Sequence, residues 1–386
     1  MNKILITCAN KITPYLAQEI ENLGFEITAE YNSAVEIQGS FHDTYTLNLH
    51  LRTANRVLYW LKDFVAFNAE DLYAKVLEMP WEKYLNPESY LTVDSIVDNP
   101  TIANTLYPNV KCKDAIVDRM VQKTGSRPNS GPEPKGAMIF LYWKNNDVSI
   151  YLDTSGEVLS KHGYRKHPFQ APLQENLAAS IIYATKWNKN THFINPMTGS
   201  GTLAIEAAMI ALNKPPGILR NNFAFMHYNE FDKKIWSAVR RKANTGIEKK
   251  LDIQIIATDI SPKAIQAAQA NAEIAGVAQH IQFSVCDFRD TPIPSDKKGV
   301  IILNPEYGLR LGQEEELKST YQAIGDFFKQ HCQGYTGYIF TGNDNLAKHV
   351  GLHTNKKIPF YNAKIECKLL RYELYEGTKK TPKHTV

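Results

Sequence analysis

Apolar residues recur along this chain with two periods, one near 2 and one near 3.6, and the switches between them divide it into elements. Ile4–Cys8 reads as a strand. Pro14–Leu23 reads as a helix, with Leu16, Ile20 and Leu23 on one face and Gly24 as its stop. Glu26–Thr28 and Ala34–Ile37 follow as short strands. Leu51, Ala54, Val57, Leu58 and Leu61 group at helical spacing, which predicts a helix over His50–Leu61. A further helix, Leu72–Met79, ends at Pro80. Tyr90–Ser95 alternates as a strand, and Asp114–Gln122 is a helix with Ile116, Val117 and Met120 apolar. The Pro-, Gly- and Ser-rich stretch Gly125–Gly136 reads as an exposed loop. Met138–Trp143 and Val148–Asp153 then pair about a hairpin turn at Asn145-Asn146-Asp147. The first 155 or so residues thus mix short strands and helices without a catalytic constellation, as in an α+β binding module.

From Ala171 the pattern changes. Pro172 fits the first turn of a helix that carries Leu173, Leu177 and Ile181 at helical spacing. Three strand-like runs, His192–Asn195, Ile253–Asp259 and Gly299–Asn304, each lead into a helix. Ile281–Cys286, Gly337–Thr341 and Lys364–Tyr372 add further strands. This alternation predicts an α/β domain with a parallel, doubly wound sheet. Lys233–Lys250 is helical and basic and reads as an insertion between the first two strands of that sheet. Lys161, His162, Arg165, Lys166 and His167 form a basic joint, which reads either as a solvated linker or as a phosphate contact. The polar tail Gly377–Val386 reads as loose.

Composition narrows the class only a little. A chain of 386 residues suggests two or three domains, and 43% hydrophobic with 22% charged residues suits a packed core. A net charge of +4 permits a nucleic-acid partner without requiring one. Five scattered cysteines include no CxxC pair, so reduced thiols and no metal are expected. No run approaches the roughly 20 apolar residues of a membrane helix, and the N-terminal apolar run is too short for a secretory signal. The expectation is a soluble cytoplasmic protein.

Candidate chemistry sits at strand ends. Asn195-Pro196-Met197-Thr198-Gly199-Ser200-Gly201-Thr202 takes an apolar strand through a Gly-x-Gly loop into a helix. Such a loop lets a ligand approach the backbone, and the helix start offers N–H groups to a carboxylate; it also occurs as a plain turn. Asp259 ends the next strand, before Ser261-Pro262. An acid there can accept two ribose hydroxyls, or it can cap the helix. It lies far beyond the roughly 20-residue spacing of a dinucleotide site. Asp287, after Ile281–Val285, can accept from an adenine amino group. Val300–Leu303 delivers Asn304, Pro305, Glu306 and Tyr307 to one strand end. The amide oxygen of Asn304 and the carbonyl of Pro305 are two acceptors for an exocyclic NH2, and Tyr307 can stack on a base. The alternative is a loop with a buried tyrosine.

These four stretches, in this order, resemble the bacterial THUMP-domain methyltransferases that modify guanine N2 in 23S ribosomal RNA, a family often labelled as N6-adenine-specific DNA methylases. Gly163-Tyr164-Arg165 with Ala171-Pro172-Leu173-Gln174-Glu175-Asn176-Leu177-Ala178-Ala179 is similar to one family segment, and Pro216-Gly217 with Phe223-Ala224-Phe225 to another. Leu369-Leu370-Arg371-Tyr372 is similar to its closing strand, and Leu51-Arg52-Thr53-Ala54 and Lys113–Asp118 to its THUMP region. The resemblance implies a ferredoxin-like plus THUMP RNA-binding region over residues 1–160. It implies a Rossmann-like methyltransferase domain over 161–386, with seven strands and the last antiparallel. It implies S-adenosylmethionine as cofactor, held by Asn195, Pro196, Thr198, Gly199, Ser200, Gly201 and Thr202, with Asp259 at the ribose and Asp287 near adenine. It places Asn304, Pro305 and Tyr307 at the target base and makes 23S rRNA the expected partner. Three positions depart from the family pattern: Asn195 stands for the usual Asp, Thr198 for the usual Cys, and Glu306 for the second proline of Asn-Pro-Pro-Tyr. The alternatives are a DNA adenine-N6 or tRNA guanine-N2 methyltransferase, or a catalytically impaired RNA-binding relative.

Overall fold

The computed structural model describes residues 1–102, 104, 106–168, 173–308 and 313–375. The predicted Pro172 turn and the tail Gly377–Val386 lie outside them. In the described residues the chain begins with β1 (Asn2–Cys8), α1 (Thr13–Asn22), β2 (Ile27–Tyr31), β3 (Ala34–Gly39) and α2 (Asp43–His50). It continues through β4 (Ala54–Val65), α3 (Ala69–Leu77), β5 (Tyr90–Asp98), α4 (Tyr107–Thr124), β6 (Asn129–Ser130), β7 (Ala137–Lys144) and β8 (Asp147–Asp153). The strands join one sheet in the order β2-β3-β1-β4-β8-β7-β5-β6. β1 follows its predicted alternation, with Ile4, Ile6 and Cys8 buried. The β7–β8 hairpin turns through Asn145, whose φ of 51° suits asparagine.

One prediction fails here. His50–Leu61 is not a helix: α2 ends at His50, and residues 54–65 form β4, antiparallel to both β1 and β8. Bulges at Thr7/Cys8 and between Trp60 and Lys62 shift the register on each side of β4. A bulge breaks the strict period of 2, so the apolar residues fall at spacings that imitate a helix.

The chain then forms α5 (Glu175–Thr185), β9 (Phe193–Asn195), α6 (Thr202–Ala211), α7 (Lys233–Thr245), β10 (Ile255–Asp259), α8 (Pro262–Ala275) and β11 (Gln282–Val285). β12 (Val300–Leu303), α9 (Gln313–His331), β13 (Thr336–Thr341), α10 (Asp344–Lys348), β14 (Lys356–Asn362) and β15 (Ile365–Glu373) complete it. The second sheet has seven strands in the order β11-β10-β9-β12-β13-β15-β14. β9 to β13 run parallel, and β15 is antiparallel to β13 and β14. Its central strands are buried and carry branched apolar side chains, as a sheet covered on both faces requires.

By compactness the chain divides into Met1–His162 with Pro215–Gly246, and the described residues of 163–214 with 247–386. The stretch 215–246, which contains α7, therefore belongs with the N-terminal residues. Aromatic packing holds it there. Tyr45 of α2 lies 4.5 Å from the ring of Phe225, and Trp236 of α7 lies 5.0 Å from Phe225 and 5.6 Å from Phe223. The buried Tyr228 hydroxyl accepts from the Met138 N–H at 3.0 Å and donates toward the Met138 and Asp153 carbonyls. Residues of the basic joint are tied down within their own units. His162 is buried against the Arg52 carbonyl at 2.9 Å, and Arg165 pairs with Glu175 at 2.7 Å. Tyr164, also buried, donates to Glu206 at 2.8 Å. Lys161, Lys166 and His167 remain exposed.

Candidate active site

β10 lies on one side of β9 and β12 on the other, so the order of strands reverses at β9. Ligand crevices open at such reversals, beyond the C-terminal ends of the strands. The predicted motifs all fall at that edge of the second sheet.

Asn195 ends β9 with 1% of its surface exposed. Its amide nitrogen donates to the Ile302 carbonyl on β12 at 2.9 Å, and its oxygen accepts from the Thr198 hydroxyl at 2.8 Å. Both halves of the amide are engaged. A carboxylate here would turn an acceptor toward the Ile302 carbonyl, so asparagine and Thr198 form a matched pair in this chain. The two departures from the family pattern are one local solution.

The loop that follows bends through the left-handed region at Met197, Gly199 and Gly201, with φ of 56°, 56° and 84°. Gly201 is required twice, by its φ and because a Cβ would stand 2.8 Å from that of Ala268 on α8. At Gly199 a Cβ would meet nothing within 4 Å, so open space lies beside this backbone. The Thr198 N–H donates to the Thr258 carbonyl and the Gly199 N–H to Asp259 Oδ2, each at 2.9 Å. Asn271 of α8 donates to the Ser200 carbonyl at 3.2 Å and accepts from the N–H groups of Lys166 and His167. Among the described residues no side chain caps the start of α6 at Gly201, so its first-turn N–H groups face an anion-favouring position.

Asp259 ends β10. Its other oxygen accepts from Ser261 N at 2.9 Å, while Ser261 itself caps α8. The helix-cap alternative for Asp259 therefore fails, since the serine does that work. β11 pairs with β10, which brings Asp287 to the neighbouring strand end. Arg289 holds Asp287 through contacts of 2.8 and 2.9 Å, and this hydrogen bonding keeps its carboxyl below the usual range. Each carboxylate oxygen has more than one lone pair, so acceptor capacity remains for a further donor.

Asn304 follows β12. Its side-chain oxygen is buried and has no hydrogen-bond partner among the described residues. A buried acceptor without a donor costs about 1–3 kcal/mol, so such an atom calls for a reason. Pro305 is buried, and the Glu306 side chain is exposed. The Glu306 carbonyl accepts from Tyr321 at 3.3 Å, and Tyr321 also meets the Thr341 hydroxyl at 2.9 Å. Tyr307 is half-buried. Its hydroxyl accepts from Asn362 at 2.9 Å, its carbonyl from Asn343 at 3.4 Å, and burial pushes its phenol pKa up. Its ring lies so close to Gly342 that a Cβ there would stand 3.2 Å away.

The sequence reading missed Asn271, Tyr321, Asn343 and Asn362, which brace the motif residues from α8, α9, the β13 end and β14. The turn signal Gly342-Asn343-Asp344 was available, yet it announces a helix cap and says nothing of Tyr307.

A sheet with this strand order, a Gly-x-Gly crossing after its first strand and an Asn-Pro turn after its fourth define a class I methyltransferase fold. The chain belongs to the family described as "RMKL-like, methyltransferase domain", which matches residues 162–371. Residues 3–58 match the RlmL ferredoxin-like domain and residues 66–153 the THUMP domain. The chain is 33% identical to "Ribosomal RNA large subunit methyltransferase K/L" of Syntrophotalea carbinolica, over 97% of this chain and 54% of that protein. It spans about half the length of the K/L relatives it matches. It is also 33% identical to a "Putative RNA methyltransferase" of Synechocystis sp., over 96% of each. Among solved structures, "SMU.472, a putative methyltransferase complexed with SAH" matches with a TM-score of 0.87 and 26% identity, over 98% of this chain and 99% of that one. A "possible methylase" from Clostridium difficile 630 matches with a TM-score of 0.87 and 29% identity over the same shares.

Proposed function

We propose that this protein transfers a methyl group from S-adenosylmethionine to the exocyclic N2 of a guanine in ribosomal RNA, acting in the cytoplasm. The buried, partnerless oxygen of Asn304 carries the reading, because an exocyclic NH2 is the donor it lacks. The names of the K/L relatives and the SAH complex of the similar structure support it.

The open backbone at Gly199, Ser200, Gly201 and Thr202 holds the methionine part of the cofactor. Asn195, Pro196 and Thr198 set the shape of that loop. Asp259 accepts from the ribose hydroxyls and Asp287 from the adenine amino group. When bound, the cofactor supplies an electrophilic sulfonium methyl. Asn304 Oδ1 and the Pro305 carbonyl accept the two amine hydrogens and so aim the nitrogen lone pair outward. Tyr307, braced by Asn362 and Asn343, stacks on the base. The base reaches this strand end from a single strand or after flipping. As the nitrogen–methyl bond forms the methyl–sulfur bond breaks, and the nitrogen then sheds one proton to water, so alignment supplies most of the rate with no strong general base required of the chain.

The test is incubation with radiolabelled S-adenosylmethionine and separate pools of 23S rRNA, tRNA, DNA and protein, followed by nucleoside analysis. N2-methylguanosine in 23S rRNA is expected. Label confined to tRNA moves the substrate, label confined to DNA overturns the reading, and cofactor binding without any label marks an impaired relative. Asn304→Ala should lower transfer about 100-fold, or about 2.7 kcal/mol, while SAH affinity measured by calorimetry holds.

A further inference from the structure

α7 is the most one-sidedly charged element of the described chain. Between Lys233 and Thr245 it carries Lys233, Lys234, Arg240, Arg241 and Lys242 and no acidic residue. That exceeds the net charge of the whole protein, +4. Lys233, Lys234, Arg241 and Lys242 are exposed, with Arg240 partly so. None of the five forms an ion pair among the described residues; Arg240 instead lies 5.7 Å over the Trp236 ring.

Helix stability accounts for Lys242 in the last turn, where the dipole favours a cation, but not for the cluster as a whole. Lys233 and Lys234 occupy the first turn, where the helix dipole disfavours positive charge. Asp232 caps the helix by accepting from the N–H groups of Lys234 and Ile235, which answers the backbone's needs without them. Burial first, then the charge of Arg52 and last that of Lys242 push the His50 pKa down to about 4, so the field of this surface adds a smaller part nearby.

A basic amphipathic helix has two common partners, a bilayer and a polyanion. The apolar side of α7 is already engaged. Trp236 is buried among Tyr45, Phe223 and Phe225, and Ala243 is buried too. Only the cationic side remains, which cannot insert into acyl chains and can neutralise phosphates.

We infer that the exposed cations of α7 form an RNA-phosphate contact surface on the unit that carries the THUMP domain. This rests on the reading that RNA is the substrate, and it adds where that RNA is held by charge. Such contacts position the RNA without reading its sequence. The surface is built from a stretch inserted between β9 and β10, outside both the THUMP and the ferredoxin-like matches.

The test compares the full-length protein with its Lys234→Gln, Arg241→Gln, Lys242→Gln triple variant, binding in-vitro-transcribed 23S rRNA at several salt concentrations. Affinity at low salt should fall at least about tenfold, and the slope of log K against log salt should flatten by about 2–3, near one per lost phosphate contact. Lys234→Arg with Lys242→Arg should bind as the parent does. SAH affinity and thermal melting should not change in any variant, which separates a lost surface from a lost fold. Unaltered RNA affinity and slope in the triple variant overturn the inference while leaving the methyltransferase reading intact. A parent protein that binds SAH and neither binds nor methylates RNA overturns both.

Discussion

Thr198 makes a single hydroxyl contact whose weight can be isolated. Its hydrogen goes to Asn195 Oδ1, inside a site with almost no exposed surface. Thr198→Val keeps the shape and removes the donor, leaving a buried acceptor unsatisfied, so stability should fall by about 1–3 kcal/mol. Thr198→Ser keeps the donor and should unfold near the parent's urea midpoint. Equal midpoints for Val and Ser would show that the bond carries no weight. The motif residues themselves were legible in the sequence, since glycines, strand-end acids and Asn-Pro turns are local signals. Their partners were not. Asn195 is tied to Ile302, more than a hundred residues away, and no local pattern announces which carbonyl an asparagine will find. The same gap hid Tyr321 and Asn362 behind Glu306 and Tyr307. The exposed Glu306 side chain, by contrast, has no partner among the described residues that explains its departure from the family pattern.

At the scale of elements, three strands escaped the sequence reading: the two-residue β6, inside the stretch read as an exposed loop, and the longer β4 and β14. β4 was disguised by bulges. β14 was disguised by composition: Lys356, Lys357 and Pro359 do not read as a strand, but β14 is the sheet edge, where a proline breaks no ladder and lysines discourage further pairing. The helix α7 was legible as helical and basic, whereas its allegiance to the N-terminal residues was not, because that depends on aromatic contacts with α2. Tyr228 gives the allegiance a measurable strength. Tyr228→Phe keeps the ring and removes the hydroxyl that serves the Met138 backbone and the Asp153 carbonyl. Stability should drop by about 1–2 kcal/mol, and amide exchange in β7 and β8 should quicken relative to β9 and β12. Uniform exchange changes throughout the protein would argue against a local anchor.

Across the whole molecule, acid sensitivity should report on His50. Its pKa in the fold is about 4, depressed by burial and by the positive charges of Arg52 and Lys242, against an ordinary 6.5. Below pH 6.5 the unfolded chain takes up a proton that the folded chain refuses until about pH 4. Stability from the neutral imidazole is therefore complete above pH 6.5, lost progressively down to pH 4, and level below. The loss is at most about 3 kcal/mol, and less in proportion to the water that reaches the ring. His50→Gln should flatten the melting temperature between pH 6.5 and 4. A variant as acid-sensitive as the parent would assign the effect to other groups.

The N-terminal unit is discontinuous in sequence, which sets a timetable for its birth. Domains generally fold as units while the chain emerges from the ribosome. This one cannot. When His162 has emerged, Tyr45 still lacks Phe225, Phe231 and Trp236, whose rings surround it in the finished fold. Those residues arrive only after β9 and α6, the first pieces of the other unit, have been made. The nascent protein must therefore hold an uncovered aromatic face until Trp236 has been made. A fragment cut at residue 162 would keep that face permanently bare and would be expected to aggregate, so the unit that carries the THUMP match is best studied without cutting it.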